Sequence, residues 1–317
     1  MLGLLLGACS GLDARGAAAD CAVKDVVRKW GFSGPVVSGR RITLKNKWHS
    51  LVFEANSRRC AYDGVVVWLN FPVTGAGGEW RLATADVNKT LTPLFASSSA
   101  LAKAGYARIV IDAGHGGDDR GATGRRRWSR EKTINLDIAR RVTSMLSPHL
   151  DVFILRTDDR NQSLEERVAR AAKLKPDIFI SIHQNSAADR NASGVETYVL
   201  APSGSPITAS SSVTARDREF YINNRWDNAN VCLGYQIQRS LVKATGAEDR
   251  GLRRARFYVV RNMPCPAALI ECGFLSNAAE EKKLLSRGYK DTMARAIADG
   301  ILAYVGAVKR ARVSGKK

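Results

Sequence analysis

The rhythm of hydrophobic and polar positions changes near residue 105. Before it, short apolar runs alternate with turn residues. Residues 50–54 and 65–70 read as strands, and Asp63-Gly64 reads as a hairpin turn. TADVNKTLTPLF (84–95) reads as a short helix, and the small, polar ASSSALAKAG (96–105) as a linker. After the linker, apolar strands alternate with amphipathic helices. Ile109, Val110 and Ile111 are successive β-branched residues, as in a strand buried on both faces. Ile134, Ile138, Val142 and Met145 form one stripe of a helix over 131–147, stopped by Pro148. Ser163-Leu164-Glu165-Glu166 is a capping box opening a helix to Leu174. Further strands are expected at 152–156, 178–183, 195–200, 257–261 and 268–273, and further helices at 231–245 and 290–304.

This alternation predicts an α/β fold: a mixed, mostly parallel sheet flanked by helices, preceded by a small β-rich N-terminal domain. The expected division is a signal or lipoprotein-like segment at 1–19, a β-rich accessory domain at 20–95, the linker at 96–105, the main α/β domain at 106–306 and a basic tail at 307–317.

Composition adds a partner class. With 317 residues, 45% hydrophobic and 25% charged, the chain is globular in type, and its formal net charge of +19 favours a polyanionic environment. Nucleic acid, an anionic membrane surface and an anionic cell wall all satisfy that charge. No nucleic-acid-binding motif accompanies it, so nucleic acid is not an expected partner. At the N-terminus, Leu6-Gly7-Ala8-Cys9 looks like a lipobox with Cys9 as the lipidated residue, whereas Ala17-Ala18-Ala19 would suit a signal cleavage site; no basic residue precedes Arg15. Either reading places the chain in the cell envelope, periplasmic or lipid-anchored. The six cysteines form no CxxC pair, and Cys21 and Cys60 are expected to bridge in an oxidising compartment.

The candidate chemistry sits where strands end. In IVIDAGHGGDDRGATG an apolar strand runs into His115 among Gly114, Gly116, Gly117, Gly121 and Gly124, so backbone, metal or substrate can approach closely. DIFISIHQNS ends a second strand on His183, AALIECGF places Glu271 within a third, and Glu131 opens a helix. In an open α/β sheet ligands bind beyond the carboxyl ends of the strands, so these residues can converge. Two imidazoles and one carboxylate supply three zinc ligands, and a second carboxylate can carry a proton; Glu131 and Glu271 divide these two roles. His49 and His149 lack the strand-end setting.

Residues 107–305 resemble the zinc-dependent N-acetylmuramoyl-L-alanine amidase family of amidase-3 type. The resemblance runs in order through IVIDAGHGGDDRGATG, EKTINLDIARRV, ILRTDD, SLEERVARAA, DIFISIHQNS, GVETYVL, RGLRRARFYVVR and PAALIECGFLSN. It implies hydrolysis of the amide joining the muramoyl lactyl group of peptidoglycan to L-alanine. It also implies one Zn2+ per chain held by His115, Glu131 and His183, with Glu271 as catalytic acid/base. Peptidoglycan is then the expected partner, with an activator protein as a further one. Two departures stand out. Asn185 occupies a position where many members carry Asp, and is expected to bond substrate or backbone. Residues 201–229 form a long insertion where some relatives carry an autoinhibitory helix. Its first half is expected to be mobile. In its second half Ile222 and Trp226 lie one helical turn apart, and Glu219 is the regulatory candidate, able to reach the metal as a fourth ligand. Arg253 and Arg254 are candidates for gripping substrate carboxylates. The rival readings are a non-enzymatic peptidoglycan-binding or regulatory protein, and a zinc amidohydrolase acting at another stem-peptide bond.

Overall fold

The computed structural model describes residues 20–76, 79–126 and 128–314. Cys9 and the expected export signals lie outside the described residues. The N-terminal strands are β1 (Asp20–Ala22), β2 (Val36–Ser38), β3 (Arg41–Lys45), β4 (Ser50–Glu54), β5 (Ser57–Tyr62), β6 (Val65–Ala76) and β7 (Glu79–Ala83). The main-domain strands are β8 (Arg108–Ala113), β9 (Asp151–Ile154), β10 (Ile178–Asn185), β11 (Val195–Leu200), β12 (Asp249–Ala255) and β13 (Ala267–Phe274).

The sheet runs in the order β2-β3-β4-β5-β6-β12-β11-β13-β10-β8-β9. Strands β9, β8, β10 and β13 are mutually parallel, and β11 is antiparallel to β13 but parallel to β12. The expected mixed sheet flanked by helices, with a β-rich N-terminal region, is therefore present. Its central strands are buried on both faces, as the unbroken apolar runs require: Ile109, Val110, Ile111, Ile178, Phe179 and Ile180 have no exposed surface. Asp63 (φ 49°) and Gly64 (φ 81°) both adopt left-handed conformations between β5 and β6, the backbone of a type I′ hairpin turn.

Four expectations are corrected. Residues 257–261 do not form a strand; Tyr258–Arg261 is one helical turn, and the strand beside it is β12. Basic side chains hid β12, but the sheet pairs them internally, as described below. The stretch expected as a linker contains the helix Ser97–Leu101, with Leu101 fully buried, packed on the long C-terminal helix Arg287–Ser314. That helix extends into the expected basic tail because Val308 and Ala311 continue its buried stripe. Finally, Cys60 is a buried free thiol and is not bridged to Cys21. Cys60 pairs with Val67 near one end of β6, whereas the strand bearing Cys21 attaches through β7 to residues 74–76 at the other end.

The N-terminal strands continue the main sheet. Val67 of β6 registers with Leu252 of β12, the Val66 backbone N–H donates to Asp249 Oδ2 at 2.8 Å, and Trp68 Nε1 donates to the Arg250 carbonyl at 2.8 Å.

Candidate metal centre and catalytic pocket

Sheet register places two of the candidate residues side by side, since His183 of β10 pairs directly with Glu271 of β13. One strand over, Ala113 of β8 pairs with Ile182, so Gly114 lies beside His183. A Cβ on Gly114 would sit 2.7 Å from the His183 Nδ1 atom, and a Cβ on Gly121 would sit 2.6 Å from His115 Cδ2. These glycines leave the space that the imidazoles fill. His115 itself is left-handed (φ 61°), followed by Gly116 (φ 141°) and Gly117 (φ 60°), so the chain turns sharply out of β8. A non-glycine residue in this region carries backbone strain of order 1–3 kcal/mol and has to be held there.

Three cations hold it. Arg156, fully buried, donates from Nε to the Ala113 carbonyl (2.9 Å) and from Nη2 to those of Gly114 (2.9 Å) and Lys132 (2.8 Å). Arg167 is ion-paired with Asp112 at 2.6 Å and donates to the carbonyls of Ala113 (2.9 Å) and His115 (2.6 Å). Lys132 reaches the Gly117 carbonyl at 2.6 Å. Sequence reasoning missed these roles, although Arg156 and Arg167 lie within the recognised stretches.

Glu131, at the first position of the helix Glu131–Leu146, points back under the loop. His115 Nε2 lies 3.2 Å from its Oε2 and His183 Nδ1 lies 2.9 Å from its Oε1. The backbone N–H groups of Ala122 (2.7 Å) and Gln184 (3.0 Å) donate to the same carboxylate. Burial works to raise the Glu131 carboxyl, but the two histidines outweigh it and hold it well below the usual range. For His115, burial works to lower the pKa, and contacts with Glu131 and Asp119 overcome it and raise it. Asp119 Oδ2 engages His115 Nδ1 at 2.8 Å, so Nε2 is the ring atom turned toward Glu131 and the cluster. Ligand atoms of His115, Glu131 and His183 all lie within 4.8 Å of one another. This set of two imidazoles and one carboxylate fits a zinc ion.

A cavity of about 390 Å³ opens beside the cluster, lined in part by His115, His183, Glu271, Gln162, Leu164 and Phe257. Glu271 Oε2 is sealed and has no hydrogen-bond partner among the described residues. Burial, followed by the charges of Glu131 and Glu196, pushes the Glu271 carboxyl well above its ordinary value.

The lower-ranked candidates lie elsewhere. Asn185 donates to Glu196 and accepts from the Ser186 backbone at 2.7 Å. Arg253 is bound to Glu196 and its guanidinium faces the rings of Trp68 (5.2 Å) and Tyr198 (5.8 Å). Arg254 is fully buried, donating to Thr90 Oγ1 at 3.1 Å in the N-terminal region, so it ties the two parts together. Glu219 accepts from the Tyr221 hydroxyl at 2.5 Å and belongs neither to the ligand cluster nor to the cavity lining. The insertion is tied down in its first half: Arg58 donates to the carbonyls of Ile207 (3.0 Å) and Ser210 (2.6 Å), and Thr208 bonds to the Arg254 backbone.

The α/β sheet brings two imidazoles at its strand ends against a carboxylate at a helix start, beside a buried acid, a set that offers a metal ion three ligands. The family model described as N-acetylmuramoyl-L-alanine amidase matches residues 109–303, and the chain belongs to that family. It is 36% identical over 197 residues to N-acetylmuramoyl-L-alanine amidase LytC of Bacillus subtilis (strain 168), a match covering 62% of this chain and 35% of that protein. The chain thus spans about a third of this relative's length. The solved catalytic domain of CwlV, an N-acetylmuramoyl-L-alanine amidase from Bacillus (Paenibacillus) polymyxa var. colistinus, is 36% identical with a TM-score of 0.53, covering 63% of this chain and 99% of that one. The CwlD amidase of Clostridioides difficile, solved in complex with the GerS lipoprotein, is 26% identical with a TM-score of 0.53, covering 63% and 98%.

Proposed function

We propose that this chain is a peptidoglycan hydrolase that cleaves the amide between the N-acetylmuramoyl lactyl group and L-alanine, with His115, Glu131 and His183 as zinc ligands. The observation that carries the reading is the convergence of those three ligand atoms within 4.8 Å, beside the unpartnered Glu271 carboxyl in one cavity. A zinc ion held by His115, Glu131 and His183 would supply Lewis acidity at this site. Glu271 takes the proton of the attacking water and returns it to the departing alanine amine. Asp119 orients His115, and Arg156, Arg167 and Lys132 fix the loop that carries it.

The same reading puts the chain in the cell envelope, where peptidoglycan lies. Among the described residues no helix is long and apolar enough to cross a membrane. Residues 20–95 act in this reading as an accessory unit joined to the catalytic unit 106–306 through the sheet, and an activator protein is a further partner. Mass spectrometry of peptidoglycan digested by the zinc-loaded protein tests the assignment. Expected products are stem peptides with a free N-terminal alanine, released by the wild type and not by His183→Ala, which should also lose stoichiometric zinc. Cleavage at another bond refutes the specificity. Zinc and activity retained in the variant refute the ligand set.

A further inference from the structure

Gln162 is the residue before the N-cap Ser163, a position where an apolar side chain often packs against the first turn of a helix. Here it is a glutamine, 7% exposed, lining the same cavity as His183 and Glu271. Both its Nε2 and its Oε1 are sealed from solvent and lack a hydrogen-bond partner among the described residues. Burying both ends of an amide unpaired costs stability, and the helix start gains nothing from it. The capping box has already claimed the neighbouring groups: Ser163 Oγ accepts from the Glu166 backbone (3.1 Å), and the Ser163 N–H donates to Glu166 Oε2 (2.8 Å). Gln162 lines the cavity, and a change of side-chain rotamer would be needed to turn its sealed carboxamide toward it.

A carboxamide with a free donor and a free acceptor on one edge has a specific complement. A primary carboxamide carries an N–H on the same side as its carbonyl oxygen, so two such groups close a reciprocal pair of hydrogen bonds. A trans peptide amide presents N–H and C=O on opposite edges and engages only one arm. A carboxylate accepts at Nε2 but leaves Oε1 facing negative charge. The charges around the cavity weigh the same way. Arg167, the one Arg or Lys among the described lining residues, is committed to Asp112 and to two carbonyls, Asp119 to His115, and Glu271 adds a further carboxyl, so a carboxylate at Gln162 would meet no uncommitted Arg or Lys.

We propose that Gln162 recognises a primary carboxamide on the peptide part of the substrate, so that the enzyme favours stem peptides whose carboxyl group nearest the scissile bond is amidated. This rests on the hydrolase reading above. The test compares N-acetylmuramoyl-L-alanyl-D-glutamate probes linked through the side-chain carboxyl, with the α-carboxyl either free or present as the carboxamide, on the full zinc-loaded chain. The carboxamide probe should show a kcat/KM at least about tenfold higher, because a site built to hydrogen-bond a group rejects the analogue that cannot return the bond. Gln162→Leu and the unbranched Gln162→Met should each bring the ratio to within about twofold of unity. Equal kcat/KM values in the wild type, or a preference that survives in both variants, overturn the proposal. Calorimetric binding of both probes to the metal-free protein should follow the same order, and no preference there also overturns it. If neither probe is cleaved but binding shows the preference and both variants lose it, the hydrolysis assignment falls and the carboxamide recognition stands.

Discussion

Replacing Gly114 with alanine sets one methyl group against His183, a ligand in the proposed zinc site. The added carbon would lie 2.7 Å from His183 Nδ1 and closer still to Cε1 and Nε2, whereas ordinary contacts begin at 3.4 Å. The nearest ring atom, Cε1, therefore has to withdraw by roughly 1.2 Å. The backbone cannot give way instead. The Gly114 N–H donates to the Ile182 carbonyl at 3.0 Å, and the Gly114 carbonyl accepts from Arg156 (2.9 Å) and Asn135 (3.2 Å). Gly114 is not among the positive-φ residues, so alanine adds no torsional strain and the protein should fold. Metal–ligand distances tolerate about 0.2 Å. The variant should therefore bind zinc at least about 100-fold more weakly, and zinc-saturated turnover should fall by roughly 10²-fold, as for a reacting group misplaced by about 1 Å. Competitive chelator titration gives the affinity, and muropeptide release gives the rate. Gly288→Ala, where nothing lies within 4 Å of the added carbon, is the matched control and should be neutral or stabilising. Wild-type zinc affinity in Gly114→Ala would show that His183 does not depend on this close approach.

Glu271→Gln should keep its zinc while losing activity by roughly 10²–10⁴-fold; metal analysis beside the rate assay checks it, and loss of metal would make Glu271 a ligand. Arg156→Lys should lower stability by roughly 2–4 kcal/mol in denaturant titrations, because an ammonium cannot reach the four carbonyls the planar guanidinium spans; an unchanged midpoint would refute its bracing role. Asp137 is opposed by burial, but hydrogen bonds from Arg141 and Lys290 hold its pKa below the usual value, so its contribution is present above about pH 4 and fades as pH falls through the folded-state value. Asp137→Asn should thus cost below about 1 kcal/mol at pH 7 and progressively less toward pH 3, since the pair is partly exposed; a pH-independent cost rules out the ion-pair explanation.

The catalytic-domain strands were legible because parallel strands buried on both faces must be written as unbroken apolar runs, and β8, β10 and β13 are. The same logic explains the failure at β12. Its arginines are paired by Glu196 of β11 and, for the buried Arg254, by the Thr90 hydroxyl of the N-terminal region, partners that local sequence does not reveal. The neighbouring YVV triplet, β-like in composition, became a helical turn. Within the site, His115, Glu131, His183 and Glu271 could be marked by residue type and position. The supporting arginines could not, because their work is to satisfy carbonyls, and any carbonyl looks alike in sequence. Gln162 was invisible for a related reason: an unpaired amide is recognised only once its surroundings are known.

The seam between β6 and β12 bears on solubility. The other ends of the sheet are β2 and β9, strands of three and four residues, too short to template much pairing. β12, at seven residues, would be a far better template, and β6 covers it. A chain cut to begin at the expected linker would present that edge bare, with the Val66 and Trp68 contacts removed, so it should associate edge to edge rather than stay monodisperse. The N-terminal strands thus guard the enzyme against its own copies, whatever else they bind.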